Sequence, residues 1–305
     1  MSFGGRFAEQ LLPDQLDHLS VSFLADDLQV RRGGVAANIC YGMALLGLHP
    51  VLVGAVGADF GDERRLLELL GVDTAGVRVS TTRHTARFVC TTDLDQNQIA
   101  SFYPGAMGEA RGIDLGALGP LDLVVVSPND PAAMTAHTGY CRDHGVAFAA
   151  DPSQQLASIE DEAIRDLLDG ADLLFGNAYE AALLERKTGW SADEVLQRVG
   201  TRVTTHGADG IVVQRAGEPD LKVGVVAPGV IADPTGVGDA FRAGFLTARS
   251  WGLEVESCVR TGALLATACL ETTGPQEYRL TAETADERLR ATYGSAAAQD
   301  IAAHL

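Results

Sequence analysis

Strand-like and helix-like segments alternate through the middle of the chain, and this alternation limits the fold more than any other feature. Four short apolar or β-branched runs stand at residues 123–127, 146–150, 173–175 and 202–205. Amphipathic stretches of helical length separate or follow them at about 131–144, 159–169 and 178–199. Such alternation predicts an α/β protein, in which helices cover a parallel sheet.

Polar residues stand at the ends of three of these predicted strands. Asp151 follows the second, Asn177 follows the third and Thr205 ends the fourth. Because the carboxyl ends of parallel strands lie at one edge of a sheet, ligands of such sheets bind there. The sequence therefore predicts a ligand site that includes these positions.

Residues 78–105 do not follow the alternation. Thr- and Val-rich runs at 77–82, 85–92 and 98–103 surround a polar turn at 93–97. This pattern predicts a β-hairpin. With a further strand candidate at 20–32, we expect a small sheet that projects from the core.

Residues 233–245 carry the strongest functional signal. The glycine-rich turn Asp-Pro-Thr-Gly-Val-Gly-Asp at 233–239 leads directly into a helical pattern, with Phe241 and Phe245 on one face and Arg242 away from it. The first amides of a helix have no helical acceptor and, with the helix dipole, attract an anion. Asp239 at the same end is suited to accept a proton from an attacking hydroxyl. The pattern indicates phosphoryl transfer, with Asp239 as general base.

A simpler interpretation of this segment stays open at the level of sequence. Aspartate is a good helix N-cap, and glycines are common in turns. A structural cap would nevertheless leave the Asp233-Pro234 lead-in and the two glycines around Val237 unexplained.

Composition narrows the class of protein further. The chain has 305 residues, 46% of them hydrophobic, and a formal net charge of −18, which argues against a nucleic-acid partner. The two lysines, Lys187 and Lys222, do not follow a glycine loop, so no P-loop is present. The glycine spacing at 236, 238 and 244 does not match the dinucleotide-binding fingerprint. Phosphate binding must then rest on backbone amides, arginines and Mg²⁺.

Cysteine usage and hydropathy suggest a location in the cell. The five cysteines form no Cys-x-x-Cys pair, no basic-then-apolar signal opens the chain, and no apolar run reaches membrane-spanning length. We expect a cytoplasmic protein with reduced thiols and no membrane partner.

Three segments, in their order and spacing, resemble the ribokinase-like (PfkB) family of sugar and nucleoside kinases. They are Gly-Gly-Val-Ala-Ala-Asn at 33–38, Asn-Ala-Tyr-Glu at 177–180 and the turn at 233–239. The resemblance runs from about residue 3 to the C-terminus. Segments 3–7, 84–88, 99–106 and 151–155 make it closest to the bacterial adenosine kinases of this family.

The resemblance implies one domain over residues 1–305: a three-layer α/β/α kinase fold with a small β-sheet lid. The lid would comprise about residues 1–32 and 78–106, and lids of two subunits pair into a homodimer in several family members. Family members usually begin with a central strand that ends in a Gly-Ser-x-x-x-Asp turn. The chain opens where the lid should begin, so either the true start lies upstream or this form lacks that strand and its substrate-binding aspartate. We expect the chain as given to be less stable and to bind substrate more weakly than a full-length relative.

The resemblance also implies substrate-binding residues. Gly33, Gly34 and Asn38 match positions that contact sugar hydroxyls. Phe88 and Phe102 match aromatic residues that sandwich a purine, although packing within the hairpin is the simpler interpretation from the pattern alone.

Further substrate contacts are expected at the end of the second strand. Gln154 and Gln155 follow Asp151-Pro152, and their amides suit a purine edge or a ribose. A plain surface turn accounts for them equally well.

The phosphate side of the implied site lies at later positions. Asn177 and Glu180 would organise phosphate and Mg²⁺, Glu180 through water, although Asn-x-x-Glu at a helix start is also a capping box. The resemblance also implies a nucleotide loop, an anion hole and a monovalent-cation site for K⁺ on this side of the site. The residues are Thr205, Gly207 and Gly210 for the loop, Gly236, Val237 and Gly238 for the hole, and Asp233 and Thr235 for the cation.

Together these features predict an ATP-dependent kinase for the 5′-hydroxyl of a nucleoside, with adenosine as the substrate, ADP and AMP as products, and a role in purine salvage. A kinase for a sugar or sugar phosphate is the first alternative, since the same glycine turn serves both. A nucleoside-binding homodimer without turnover is the second.

Overall fold

The structure, a computed structural model, describes residues 1–11 and 20–305. The predicted lid range 1–32 thus includes residues 12–19, which lie outside the described residues. The described strands, in chain order, are β1 (Ser2–Phe3), β2 (Ala25–Asp27), β3 (Gly54–Gly57), β4 (Val77–Ser80), β5 (Arg87–Thr92), β6 (Gln98–Tyr103), β7 (Val124–Val126), β8 (Phe148–Ala150), β9 (Leu173–Asn177), β10 (Thr201–Thr205), β11 (Ile211–Gln214) and β12 (Leu221–Val223). The described helices are α1 (Phe7–Gln10), α2 (Val35–Leu45), α3 (Gly61–Leu69), α4 (Pro131–His144), α5 (Asp161–Leu168), α6 (Ala178–Thr188), α7 (Ala192–Leu196), α8 (Val237–Ser250), α9 (Val255–Leu270), α10 (Ala282–Tyr293) and α11 (Ser295–Ala302).

The main sheet has six strands in the order β12-β11-β10-β9-β8-β7. Strands β7 to β10 are mutually parallel, and β11 and β12 extend the sheet with antiparallel pairing. This confirms the parallel sheet predicted from the alternation. One predicted helix, 178–199, is divided into α6 and α7 because Gly189 ends α6 in the left-handed conformation and Ser191 caps α7.

Helices cover both faces of this sheet. Along β9, Leu173 and Phe175 face a core shared with α2, α8 and α9, whereas Leu174 faces a second core shared with α4, α5 and α6. Successive side chains of a strand point to opposite faces, so the buried apolar run of β9 serves both cores. The result is the predicted three-layer α/β/α arrangement.

Glycines allow α8 to lie very close to its neighbours. A Cβ on Gly244 would come within 2.6 Å of the Thr261 carbonyl oxygen of α9, and one on Gly42 of α2 would come within 2.6 Å of the Ala243 Cβ of α8. Since such contacts exclude any larger residue, the middle of α8 is packed directly against α2 and α9.

A second sheet of four strands, in the order β2-β1-β5-β6, contains the predicted hairpin. Asp93 forms its turn: the carboxylate accepts hydrogen bonds from the backbone N–H groups of Asp95, Asn97 and Phe7. The run at 77–82 is not part of this sheet. Its strand β4 pairs in parallel with β3 in a separate two-stranded sheet, because tertiary packing and not the local pattern chooses the partner of a short strand.

The small sheet is fastened to the core through Asp59. One carboxylate oxygen accepts hydrogen bonds from the N–H and hydroxyl of Thr85, at 2.9 and 2.7 Å, and the other accepts one from Arg87 at 2.6 Å. In the described part of the chain, no helix is long and apolar enough to cross a bilayer.

Candidate active site

The predicted strand-end residues lie at one edge of the main sheet. Asp151 directly follows β8, Asn177 is the last residue of β9, and Thr205 is the last residue of β10. Thr205 pairs in register with Asn177. Two of the three therefore lie side by side at the position where α/β sheets bind ligands.

Helix α8 begins beside this edge with a left-handed glycine. Gly236 has φ +80°, and a Cβ there would lie 2.3 Å from the Cβ of Pro275. The first helical hydrogen bond runs from Ala240 N to Gly236 O. The N–H groups of Gly238 and Asp239 thus have no helical acceptor and are available to an anion.

The carboxylate of Asp239 does not cap α8, because the helix has no side-chain cap. Instead, Asn38 donates a hydrogen bond from Nδ2 to Asp239 Oδ2 at 2.8 Å, and Arg242 Nη1 lies 4.0 Å from Asp239 Oδ1. The purely structural interpretation of this aspartate as an N-cap is therefore wrong. The carboxylate is therefore held by side chains of α2 and α8 and not by the backbone of its own helix.

Burial raises the pKa of Asp239 above its ordinary value. The charge of Arg242 and the hydrogen bond from Asn38 work against this rise, and the charge of Glu180 adds to it. A raised pKa brings a carboxylate closer to the proton affinity that an efficient general base needs near neutral pH.

Asn38 contributes to this arrangement from α2. It is buried, and its Oδ1 accepts a hydrogen bond from Gln276 at 2.9 Å while its Nδ2 binds Asp239. Each end of the amide keeps capacity for one more hydrogen bond. Gly34, with φ +96°, is the N-cap of the same helix, and Gly33 before it has open space around its Cα. Of these three residues, Asn38 contacts Asp239, and contact of any of them with substrate stays a prediction.

Phe88 and Phe102 are directly paired across β5 and β6, and they are 69% and 56% exposed. Packing inside the hairpin does not explain them, since both rings are in solvent. Directly paired residues point to the same face of a sheet. The two rings therefore form one aromatic surface, not the two opposed walls that a sandwich requires.

Gln154 and Gln155, which follow β8, differ in the contacts of their side-chain amides. Gln155 donates to the carbonyl of Asn129 at 2.7 Å and accepts from the hydroxyl of Ser158, so its amide holds the turn after β8. Gln154 is exposed, and its oxygen accepts a hydrogen bond from Ser153. The structure favours the turn interpretation for Gln155 and leaves Gln154 free to reach a ligand.

Asn177 and Glu180 form the capping box of α6. Asn177 Oδ1 accepts from the Glu180 N–H, and Glu180 Oε2 accepts from the Asn177 N–H, each at 2.9 Å. Ser153 donates to the other carboxylate oxygen at 3.2 Å. The capping role of Asn177 and Glu180 is confirmed. Lone pairs on both carboxylate oxygens of Glu180 stay available for water or a metal.

The residues around Glu180 fit a metal that keeps most of its water. Within residues 1–11 and 20–305, no three His, Cys, Asp or Glu side chains gather as a protein cage for a metal ion. Mg²⁺ typically takes one or two carboxylates and fills its shell with water and substrate phosphates. The single carboxylate of Glu180 suits that mode of binding.

The remaining predicted residues lie in two turns. Gly207, with φ +59°, and Gly210, with φ +100°, form the turn between β10 and β11 after Thr205. Asp233 accepts hydrogen bonds from the N–H groups of Thr235 and Gly274. Although burial opposes it, the hydrogen bonds lower the pKa of Asp233, so the turn carries a negative charge near Thr235.

Sequence reasoning missed the role of Arg242. The helical pattern predicts this arginine on the polar side of α8, away from the core, but its side chain is only 9% exposed and its Nη2 donates to Asp151 Oδ1 at 2.5 Å. Burying a guanidinium costs several kcal/mol unless a carboxylate compensates it. The sequence signal was indirect: Arg242 follows Asp239 by one helical turn, so the two must share a face.

A model of the pfkB family of carbohydrate kinases matches residues 10–282. The chain belongs to the PfkB family. It is a kinase, a phosphotransferase with an alcohol as acceptor, and its fold is ribokinase-like.

Several proteins named nucleoside kinase or adenosine kinase are similar to this chain over most of their length. Nucleoside kinase from Methanocaldococcus jannaschii is 30% identical over 261 residues, covering 84% of this chain and 85% of that protein. The structure of Burkholderia thailandensis nucleoside kinase in complex with inosine is 33% identical, with a TM-score of 0.85, and the match covers 96% of this chain and 94% of that one. Adenosine kinase from Schizophyllum commune is 27% identical over 284 residues, covering 80% of each chain.

Proposed function

We propose that this PfkB kinase transfers the γ-phosphoryl group of ATP to the 5′-hydroxyl of a nucleoside, with adenosine as the preferred acceptor. The observation that carries the proposal is the carboxylate of Asp239, buried and hydrogen bonded at the open N-terminus of α8. The nucleoside class is supported by the Methanocaldococcus and Burkholderia relatives, both of which are nucleoside kinases, and the Burkholderia enzyme was solved with inosine. ATP as donor is supported by a complex of the Burkholderia enzyme with ADP and inosine.

The proposed reaction uses Asp239 as the general base. As the substrate hydroxyl oxygen forms its bond to the γ-phosphorus, its proton passes to Asp239 and the bond from the γ-phosphorus to the β,γ-bridging oxygen breaks, which releases ADP. The open amides of Gly238 and Asp239, in the turn that holds the predicted anion hole of Gly236, Val237 and Gly238, stabilise the negative charge on the transferred group. When bound, Mg²⁺ neutralises the phosphates, and Glu180 near Asn177 is the residue that would hold its water shell.

The preference for a purine nucleoside over a bare sugar rests on Phe88 and Phe102, and adenosine among the purine nucleosides rests on the resemblance of segments 3–7, 84–88, 99–106 and 151–155 to the bacterial adenosine kinases. The exposed aromatic surface of Phe88 and Phe102 offers a purine a stacking platform worth about 1–3 kcal/mol, which a bare sugar cannot use. Gly33, Gly34, Asn38 and the exposed Gln154 are the proposed contacts to the ribose and the base. The turn with Thr205, Gly207 and Gly210 is the proposed nucleotide loop.

Two further parts of the proposal concern a cation and a partner. Asp233 and Thr235 share one turn beside the start of α8, and K⁺ bound there would stabilise the anion hole. A homodimer through the small sheet is supported by its edge strand β6, all of whose residues are exposed. Strand edges of this kind invite pairing with a second chain.

A substrate panel tests the proposed function. ADP release is measured with Mg-ATP, with and without K⁺, in the presence of adenosine, inosine, ribose or fructose. The proposal predicts the highest kcat/KM for adenosine, and higher activity with K⁺. Greater activity with ribose or fructose would instead identify a sugar kinase, and adenosine binding without ADP release would identify a non-catalytic binder.

Paired variants test the aromatic platform. Phe102→Ala removes half of the surface, so KM for adenosine should rise about tenfold, which corresponds to one stacking contact, while KM for ATP stays unchanged. Val89→Ala, one position along the same hairpin but on its other face, is the matched control and should leave both constants unchanged. Equal effects from the two variants would remove the platform from the proposal.

A further inference from the structure

The most unusual buried group at the site is the guanidinium of Arg242. It lies one helical turn after Asp239 in α8 and reaches the end of β8, where Nη2 donates to Asp151 Oδ1 at 2.5 Å. Its Nη1 lies 4.0 Å from Asp239 Oδ1. Asp151 itself is fully buried. One cation thus stands between two carboxylates, of which only Asp239 adjoins the anion site.

Several neighbours surround this guanidinium. A Cβ on Gly238 would approach Arg242 Nη1 to 2.7 Å, so a larger residue at 238 would require the guanidinium to shift. The ring of Phe175 lies 6.0 Å from the guanidinium carbon, and Ser127 donates to the second oxygen of Asp151 at 3.3 Å. The sequence Gly-Asp-Ala-Phe-Arg therefore supplies both the base and the space that its neighbouring cation needs.

Asp239 is held from its other side by a hydrogen-bond chain. Gln276 donates to Asn38 Oδ1 at 2.9 Å, and Asn38 donates to Asp239 Oδ2 at 2.8 Å. Asn38 therefore directs Oδ2 by a hydrogen bond, whereas Arg242 faces Oδ1 at 4.0 Å and acts on it through its charge, at a position that Asp151 fixes. A base fixed in this way needs no reorganisation when the hydroxyl arrives, and correct placement of reacting groups is worth large factors in rate.

We propose that Arg242 is a positioning residue of the kinase: anchored by Asp151, its planar guanidinium orients the carboxylate of Asp239 for proton transfer. This inference rests on the proposed role of Asp239 as general base. Arg242 acts through Asp239 and does not itself touch the reacting atoms. It accounts for an arginine being buried next to a base, where a neutral side chain of similar size would have packed at lower electrostatic cost.

The test is a double-mutant cycle between Arg242 and Asp239. Arg242→Lys keeps the positive charge but replaces the planar guanidinium, with its fixed donor geometry, by an ammonium on a flexible chain. In the otherwise wild-type enzyme it should lower kcat about tenfold and leave both KM values within about threefold. In the Asp239→Asn background the same substitution should have no further effect on kcat, because no carboxylate is left to orient.

A second variant separates positioning from stability. Arg242→Met with Asp151→Asn removes the cation and its anchor together, so no unpaired charge stays buried. It should melt near the wild-type temperature and still show the loss of kcat. Arg202→Met is the matched control, since Arg202 is a buried arginine paired with Glu185 at 2.7 Å. It should lower the melting temperature and leave kcat unchanged.

The possible outcomes distinguish this inference from the proposed function. Equal losses of kcat from Arg242→Lys in both backgrounds, or wild-type kcat in Arg242→Lys, would overturn the positioning role. Asp239→Asn with wild-type turnover, or no phosphoryl transfer by the wild type with any nucleoside, would instead overturn the proposed function on which it rests.

Discussion

Gly236→Ala should lower the free energy of unfolding more than a glycine-to-alanine change at a turn with open space around the new Cβ. Gly236 has φ +80°, where a side chain costs about 1–2 kcal/mol, and its new Cβ would lie 2.3 Å from the Cβ of Pro275. Overpacking of this kind costs about 1–3 kcal/mol. The two contributions predict a loss of about 2–5 kcal/mol in the free energy of unfolding.

Gly217→Ala isolates the backbone contribution. Gly217 has nearly the same φ, +77°, but nothing lies within 4 Å of the position its Cβ would take. Only the cost of the left-handed conformation, about 1–2 kcal/mol, should then appear. At about 2 °C per kcal/mol for a chain of this size, Gly236→Ala should melt about 4–10 °C below wild type and Gly217→Ala about 2–4 °C below.

Thermal denaturation and ADP release, measured on Gly236→Ala and Gly217→Ala, test these predictions. Because the displaced turn carries the amides of Gly238 and Asp239, Gly236→Ala should also lower kcat about tenfold or more, whereas Gly217→Ala should keep full activity. Equal melting temperatures, or full activity in Gly236→Ala, would refute the claim that Pro275 and the left-handed turn together fix the anion site.

Two other substitutions test the attachment of the small sheet and the titration of a half-buried carboxyl. Asp59→Asn should weaken the hydrogen bonds to Thr85 and Arg87 by about 1–3 kcal/mol and speed amide hydrogen exchange in β5 but not in the main sheet. Asp62→Asn, at an exposed position, is the control and should change exchange in neither sheet. Unchanged exchange in β5 of Asp59→Asn would contradict the anchoring role of Asp59. Burial raises the pKa of Glu63 from 4.5 to about 7, so the folded state holds this proton more tightly than the unfolded chain. The stabilising contribution of protonated Glu63 is complete below about pH 4.5 and is lost as the pH rises through about 7. Between pH 5 and 8, wild type should therefore lose about 2 kcal/mol relative to Glu63→Gln in thermal melts, and parallel curves would disprove this.

Much of the fold follows from local patterns in the sequence. The strands β7 to β10 are short apolar runs bounded by polar residues, and α4 spans 131–144 as predicted because Asp130 caps it and Gly145 ends it. The start of α8 is equally predictable, since a glycine turn that leads into a helix is typical of an anion-binding N-terminus.

The rest of the site depends on contacts between distant parts of the chain. The pair Arg242–Asp151 joins residues 91 positions apart, and Gln276–Asn38 joins residues 238 apart. A helical pattern shows that Arg242 is on the side of Asp239, but not that a carboxylate at the end of β8 receives it. For the same reason the pairing of β4 with β3, and the outward-facing rings of Phe88 and Phe102, could not be obtained from their own segments.

The most direct test of Asp239 as the general base is single-turnover phosphoryl transfer from Mg-ATP to adenosine by wild type and Asp239→Asn, with adenosine affinity measured on the same samples. Asparagine keeps the shape of the side chain but cannot take the proton. We predict a rate at least about a hundredfold lower, with adenosine affinity within about threefold of wild type. A variant that transfers the phosphoryl group within about threefold of the wild-type rate would contradict the role of Asp239 as the base.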